Sequence, residues 1–217
     1  MNDCVMLEMQ MAEIMAQQEA SGFRFDVEAA ERVRSELQQE ADSIQAEIAK
    51  RYIYVPGKVY CPKRANKTKG YVAGAPMTKL IDFNPTSRDH IAWSFQTHRG
   101  WDPIEFTDTG KPKIDEEVLN SIGTDEAKAF GRILELQKQL GLLSEGQNSW
   151  LKLVEKDGRI HHSCMLNTAT GRNAHLRPNL AQVPSGHEFR ELFTANAGEL
   201  LVSADCSGLE LRCLAHY

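Results

Sequence analysis

The chain has 217 residues, 41% of them hydrophobic and 25% charged, so it can bury a core and has an ordinary soluble composition. No apolar run reaches the length that spans a bilayer, and the N-terminus lacks the basic and apolar blocks of a signal peptide. The sequence therefore predicts a cytoplasmic protein with no membrane contact. Five cysteines, an odd number without a Cys-x-x-Cys pair, argue against a disulfide framework and a structural zinc site.

The net charge of −5 does not by itself indicate a nucleic-acid partner, because phosphate binding depends on lysine and arginine. The distribution of charge is more informative. Residues 51–75 hold six basic residues and no acid, whereas the flanking segments are acidic. Two interpretations stay open for this basic loop, a local contact with a DNA backbone or an ordinary solvated surface.

The first 145 residues are predicted to be mostly helical. The apolar spacing predicts helices at residues 5–20, at about 27–48 with Asp26 as the cap, at 88–99 closed by Gly100, at 114–122, and at 125 to about 145. A turn is expected at residues 21–25. Residues 52–76, rich in glycine, proline and lysine, are predicted to form an irregular basic insertion with at most short strands.

The remaining residues, 146–217, have a different pattern. Paired strands are predicted at 150–154 and 159–166 around a turn at Asp157 and Gly158, followed by a polar loop and a short helix at 188–193. Residues 199–204 have the length and apolar character of a strand, and a helix follows from Ser207. The predicted fold class is therefore α+β, with a helical part at 1–145 and a mixed part at 146–217.

Asp205 lies where this last strand is expected to meet the helix. A carboxylate at the end of a buried strand is well placed to bind a catalytic metal ion, since the strand fixes its position. An aspartate at such a junction can equally cap the following helix. Local pattern alone leaves both possibilities open.

The longer motif around Asp205 resembles a known family. Residues 203–212, Ser-Ala-Asp-Cys-Ser-Gly-Leu-Glu-Leu-Arg, resemble the first palm motif of family A DNA polymerases. Residues 170–172 and 178–184 resemble the loop that precedes this motif, in the Asn-Leu-Ala-Gln form of the short-tailed-phage branch. Residues 21–26, 71–76 and 83–90 resemble landmarks of the thumb in that branch, so the resemblance covers nearly the whole chain.

The resemblance implies a helical thumb at 1–145 and a proximal palm at 146–217. It also implies a two-metal site for nucleotidyl transfer, in which Asp205 binds both Mg²⁺ ions and the carbonyl of Cys206 is a further ligand. Glu210 is expected beneath the sugar of the incoming deoxynucleoside triphosphate as a gate against ribonucleotides, or else to be a solvated acid of the helix face. Arg212 is expected to support Glu210 or the palm.

The same resemblance assigns DNA contacts. Arg172 is expected to reach the minor groove of the primer-template, where base acceptors occur in every pair. Asn179 and Gln182 are expected either to contact DNA or only to tie their loop together. In the basic insertion, Lys63, Arg64 and Lys67 are the expected contacts to the DNA backbone.

Some parts of a family A polymerase are not seen in this sequence. The fingers helix, the second palm aspartate and a three-acid exonuclease domain are missing, so a second polypeptide with fingers and distal palm is expected as a partner, and the chain alone is expected to be inactive. The short 52–70 segment argues against thioredoxin, which binds a longer insertion in phage relatives. The expected location is the cytoplasm of the host cell if the chain is phage-encoded. The alternative is a non-catalytic DNA-binding or assembly module.

One further group of residues has metal-binding character. His161, His162 and Cys164 lie close together in the sequence, but consecutive side chains of a strand point to opposite faces. The two histidines are therefore not expected to share an ion.

Overall fold

The computed structural model describes residues 3–165, 168–169 and 172–216. It has two compact units, one made of residues 34–145 and the other of residues up to 33 together with those from 146 onward. The helices are α1 (Asp3–Ser21), α2 (Val27–Arg51), α3 (Arg88–Arg99), α4 (Glu116–Ile122), α5 (Asp125–Leu140), α6 (Trp150–Leu153), α7 (His187–Arg190) and α8 (Leu209–His216). The strands are β1 (Phe23–Phe25), β2 (Tyr54–Tyr60), β3 (Met77–Asp82), β4 (Arg159–Ile160), β5 (Ser163–Met165), β6 (Ala174–Leu176) and β7 (Phe193–Thr194). The fold is α+β, as predicted.

The helix boundaries follow the predicted signals closely. Asp26 accepts a hydrogen bond from the backbone N–H of Ala29 at 2.9 Å, so it caps α2 as expected. Gly100 ends α3 with a φ of 64°, a left-handed conformation that glycine adopts without strain. Helix α5 continues into one π-helical turn, Gly141–Glu145, and the two together match the predicted span of 125 to about 145.

The core of the 34–145 unit is built around aromatic rings. Phe130 of α5 is fully buried, and its ring centroid lies 5.6 Å from Phe95 of α3, 6.1 Å from Phe83 and 6.3 Å from Tyr52. The remaining buried members of this core are Ile48, Ile91, Ala92, Ile114, Leu119 and Ala127. Burial of these side chains is the main force that holds the helices of this unit together.

Glu126, in the first turn of α5, is the centre of a polar cluster beside that core. Its carboxylate accepts hydrogen bonds from the Tyr52 hydroxyl at 2.6 Å and from Arg51 and Arg99, both at 3.2 Å. Burial acts to raise the pKa of Glu126, but these donors outweigh it and the pKa is lowered. Burial and the bond to Glu126 raise the pKa of Tyr52 to about 12.

This cluster should make stability depend on pH. Because the folded-state pKa of Glu126 is depressed, its contribution is present above the unfolded value of 4.5 and is lost as the pH falls through the folded pKa. At pH 7 we expect Glu126→Gln to lower the free energy of unfolding by roughly 2 kcal/mol, and at pH 3 the difference should shrink. Urea unfolding of both proteins at the two pH values measures this.

The matched control is Glu135→Gln, since Glu135 pairs with Arg132 on an exposed surface. Exposed ion pairs contribute little, so we expect at most about 0.5 kcal/mol at either pH. An equal loss from the Glu126 and Glu135 variants at pH 7 would contradict the role of the buried cluster.

The basic insertion is more regular than predicted. Strands β2 and β3 pair antiparallel from Tyr54 opposite Asp82 to Tyr60 opposite Met77, with an irregularity between Pro56 and Val59. The basic residues are therefore carried largely by the connection at the end of a hairpin. Residues 61–76 have no regular strand or helix, as expected, and the glycine and proline within β2 explain why its regular pairing was not predicted.

The other unit contains a small antiparallel sheet in the order β4-β1-β7. Its central strand, β1, occupies residues predicted as a turn. Phe25 of this strand packs edge-on against Phe193 and Trp150, at centroid distances of 5.2 and 6.3 Å. Long-range pairing on both sides explains why three residues can form a strand that local pattern does not reveal.

Two strand predictions in this unit were wrong. Residues 150–153 form α6, with Trp150 fully buried among aromatic rings, because a short apolar run is compatible with either a helix or a strand. Residues 199–205 are all described and have no strand structure, and Leu200 and Val202 are exposed. A strand requires a pairing partner, and no described residue supplies one to this segment.

The described helices include none that is long and apolar enough to cross a membrane.

Candidate active site

Asp205 lies on an exposed segment without regular structure, just before α8. The turn that follows it is fixed by Gly208, with a φ of 63°, and by Arg212, whose backbone N–H donates to the Gly208 carbonyl at 3.0 Å. The Arg212 Nε donates to the carbonyl of Ser207 at 2.9 Å. Arg212 therefore holds the turn after Asp205.

The Asp205 carboxylate has no hydrogen-bond or ion-pair partner among the described residues. Helix α8 begins only at Leu209, so the alternative that Asp205 caps this helix has no hydrogen bond to support it. The carboxylate and the adjoining main chain of exposed Cys206 are accessible to a cation. Their metal-binding role stays a prediction.

Arg172 and Glu210 are brought together although 38 residues separate them in the sequence. The Arg172 guanidinium lies 3.3 Å from a carboxylate oxygen of Glu210, and both side chains are more than three-quarters exposed. The backbone carbonyl of Arg172 also accepts a hydrogen bond from the Thr168 hydroxyl. Thr170 and Gly171, the other residues of this motif, lie outside the described residues.

Asn179 and Gln182 lie at the two ends of a short 3-10 turn, Leu180–Gln182. The side-chain oxygen of Asn179 accepts from the backbone N–H of Ala181 at 3.1 Å, and its carbonyl accepts from the N–H of Gln182 at 3.2 Å. Asn179 thus ties its own loop together, as one of the two sequence interpretations held. Gln182 is exposed, and DNA contact by either residue stays a prediction.

Lys63, Arg64 and Lys67 are all exposed on the connection between β2 and β3. Within the part of the chain that the structure describes, none of the three forms an ion pair with a carboxylate. The connection is folded back on itself, since Asn66 and Tyr71 form a bridge and the N–H of Gly74 donates to the carbonyl of Pro62. Three unpaired cations are therefore presented on an ordered turn.

One cluster of possible metal ligands was noted only in part from the sequence, which indicated His162 and Cys164 but not His175. His162, Cys164 and His175 converge, with one ligand atom from each lying within 4.8 Å of the others. His161 points elsewhere, with its ring nitrogens bonded to the carbonyl of Glu19 at 2.7 Å and to Asp157 at 3.0 Å. The sequence signal for this cluster was the spacing of two residues between His162 and Cys164. In the predicted strand at 159–166, that spacing puts two side chains on the same face.

The comparisons with known proteins identify the family. A family model described as "DNA polymerase family A" matches residues 65–217, which include the Asp205 segment. The chain belongs to this family. It is 34% identical over 277 residues to the DNA-directed DNA polymerase of Escherichia phage T7, an alignment that covers 99% of this chain and 39% of that protein.

Other family A polymerases align in the same way. The DNA-directed DNA polymerase of Enterobacteria phage T3 is also 34% identical, with the same coverage, and the thermostable DNA polymerase I of Thermus filiformis is 29% identical over 97% of this chain and 23% of its own length. A solved structure, the POL domain of Pol1 from M. smegmatis in complex with DNA primer-template and dNTP, has a TM-score of 0.56 at 19% identity. It matches 85% of this chain and 28% of that chain, which supports the fold. The chain thus spans about two fifths of the phage relatives' length.

Proposed function

We propose that this chain supplies the thumb, residues 1–145, and the proximal palm, residues 146–217, for template-directed DNA synthesis. The observation that carries this proposal is the family match over 65–217, which contains Asp205 on an exposed segment, with no partner for its carboxylate among the described residues. The substrates would be a primer-template and deoxynucleoside triphosphates. Residues equivalent to fingers and distal palm would come from a second polypeptide or from further sequence.

The residues around Asp205 suit Mg²⁺. This hard cation prefers oxygen ligands and usually keeps several waters, so it is held by one or two carboxylates together with substrate phosphates. Asp205 offers an exposed carboxylate, and the Cys206 carbonyl offers a second oxygen in the same segment. When bound, the ions would polarise the α-phosphate of the nucleotide and lower the pKa of the primer 3′-hydroxyl.

Glu210 and Arg172 are both proposed to act near the primer terminus, Glu210 beneath the incoming sugar and Arg172 in the minor groove. Their ion pair is largely exposed, and such pairs contribute about 0–1 kcal/mol, so DNA can displace the guanidinium from the carboxylate at little cost. The pair would hold Arg172 near the site until DNA binds. Asn179, Gln182 and Thr168 would position the loops around it.

The basic turn between β2 and β3 is proposed to contact the DNA backbone directly. The phage alignment extends over 277 positions, more than the 217 residues of this chain, so those relatives carry insertions that this chain lacks. A short turn with three unpaired cations favours direct phosphate contact over the docking of a thioredoxin-like protein. The charges of Lys63, Arg64 and Lys67 are the basis of this assignment.

Primer extension tests the proposed function. The purified chain is combined with a polypeptide that carries the fingers and distal palm of a phage relative, a labelled primer-template, nucleotides and Mg²⁺. We expect extension by the mixture and none by either polypeptide alone. DNA binding without any extension, in this mixture and in a fusion of the two polypeptides, would contradict the proposal and favour a non-catalytic DNA-binding or assembly module.

Replacing Lys63, Arg64 and Lys67 together with alanine should weaken DNA binding uniformly across sequences. Each phosphate contact contributes about 0.9 to the slope of log K against log salt on duplex DNA, so the slope should fall by about 2 to 3. Fluorescence anisotropy on two unrelated duplexes over a range of salt concentrations measures this change.

The matched control replaces Lys50, Lys138 and Lys156, three exposed lysines outside the basic turn, and removes the same net charge. We expect its slope to stay close to that of the wild type. Equal slopes for the two triple variants would show that overall charge, and not the basic turn, determines the salt dependence.

A further inference from the structure

A group of potential metal ligands lies apart from the residues assigned to polymerisation. Cys164 of β5 and His175 of β6 are directly opposite each other in the antiparallel pair, and His162 lies just before β5, two residues before Cys164. One ligand atom from each of the three lies within 4.8 Å of the others. Hairpin pairing brings Cys164 and His175 together, and the residue just before β5 adds His162.

The burial of the cluster distinguishes it from surface groups. His162 is only 2% exposed, and its Nδ1 is buried with no hydrogen-bond partner among the described residues. Cys164 is the one cysteine of the five that is not exposed. A buried imidazole nitrogen without a hydrogen-bond partner costs free energy of folding. A ligand bound to the His162 Nδ1 would remove that cost.

The distances are close to those of a tetrahedral metal site. Zinc bonds of about 2.3 Å to sulfur and 2.0–2.1 Å to nitrogen place two ligand atoms roughly 3.6 Å apart. The Cys164 Sγ lies 3.3 Å from the His175 Nδ1, and the rings of His162 and His175 are stacked with centroids 5.6 Å apart. A contraction of about 1.2 Å at most would bring all three to bonding distance.

The surrounding charges also favour a cation. The negative charge of Glu19 acts on both His162 and Cys164, and its carboxylate accepts a hydrogen bond from Ser163, which lies between them, at 2.5 Å. Burial, with the charge of His175, lowers the pKa of His162. Burial raises the pKa of the Cys164 thiol, whose proton would pass to solvent as the metal–sulfur bond forms.

We propose that His162, Cys164 and His175 form a binding site for a transition-metal ion of the Zn²⁺ class, with water in the fourth position. Two imidazoles and a thiolate select such an ion over Mg²⁺, so the site does not compete for the ion assigned to Asp205. The bound ion would link β5 to β6 and so fix both ends of the connection that carries Arg172. This linkage would be separate from nucleotidyl transfer.

Titration of the purified, chelator-treated chain with Co²⁺ tests the site, because a cobalt–thiolate bond gives a charge-transfer absorption band. We expect one ion per chain, displacement by Zn²⁺, and no band in Cys164→Ala. The loss of a direct ligand should weaken Zn²⁺ binding at least about 100-fold, since even outer-shell changes cost 10–100-fold. His175→Gln should also weaken binding, and circular dichroism checks that both variants fold.

The control is a variant with Cys4, Cys61, Cys206 and Cys213 replaced by serine, which leaves Cys164 as the single thiol. This variant should retain the cobalt–thiolate absorption band and bind one ion per chain. Loss of the band in this variant, or its persistence in Cys164→Ala, would assign the metal to the exposed thiols and overturn the proposal. Absence of saturable binding would leave the cluster as a Cys164–His175 hydrogen bond with stacked rings, and would overturn it equally.

Discussion

Replacing Asp205 with alanine in the assembled polymerase is expected to lower the rate of nucleotide addition at least about 1,000-fold. A catalytic metal supplies several kcal/mol of charge stabilisation, and each 1.36 kcal/mol corresponds to a factor of ten in rate. Asp205 has no partner among the described residues, so its removal leaves no buried group unsatisfied. Single-turnover primer extension at saturating Mg²⁺ and nucleotide measures the loss.

Two companion variants make this result specific. Asp205→Asn keeps the size of the side chain and removes its charge, and it should lose nearly as much activity as the alanine variant. Glu199→Gln removes an acid of the same exposed segment, and its extension rate should stay within a few-fold of the wild type. The affinity for primer-template without nucleotide should be retained in all three. Extension by Asp205→Ala within tenfold of the wild-type rate would exclude Asp205 as a ligand of the catalytic ions.

Most of the helices were predicted well from sequence because their signals are local. The cap at Asp26, the left-handed Gly100 and the apolar stripe of α5 each act within a few residues, so periodicity and end signals identify them. Helix α8 was predicted for the same reason. None of these elements requires knowledge of what lies across the molecule.

Strands were predicted poorly because their stability comes from distant partners. The central strand β1 pairs with residues near 160 and 194, which no local window contains. At residues 199–204 the opposite error occurred. Their apolar pattern predicted a strand, but no described segment pairs with them. Residues 150–153 became helical because Trp150 is buried by neighbouring rings that a single-sequence pattern does not reveal.

The same distinction between local and long-range signals applies to the candidate sites. The motif at 203–212 points to Asp205 and Glu210 because its residues are contiguous. The proximity of Arg172 to Glu210, and of His175 to Cys164, depends on tertiary structure. Consecutive histidines were correctly expected to diverge, yet the hairpin partner that completes the His162 cluster could be identified only after β5 and β6 were paired.

Replacing Phe130 with alanine is expected to have the largest effect on the stability of the 34–145 unit. Phe130 is fully buried and lies within 6.3 Å, centroid to centroid, of three aromatic rings, so its truncation opens a cavity that rigid neighbours cannot fill. Such substitutions cost about 3–5 kcal/mol, a large part of the roughly 5–15 kcal/mol that stabilises a domain. Urea unfolding followed by the fluorescence of Trp93 and Trp101, both in this unit, measures the cost.

The control for this prediction is Phe106→Ala, because Phe106 is 56% exposed and belongs to the same unit. We expect it to change the free energy of unfolding by no more than about 0.5 kcal/mol. A further variant, Trp93→Phe with Trp101→Phe, leaves Trp150 as the reporter of the other unit. If Phe130→Ala and Phe106→Ala cost the same, the aromatic cluster around Phe130 is not the element that stabilises the unit.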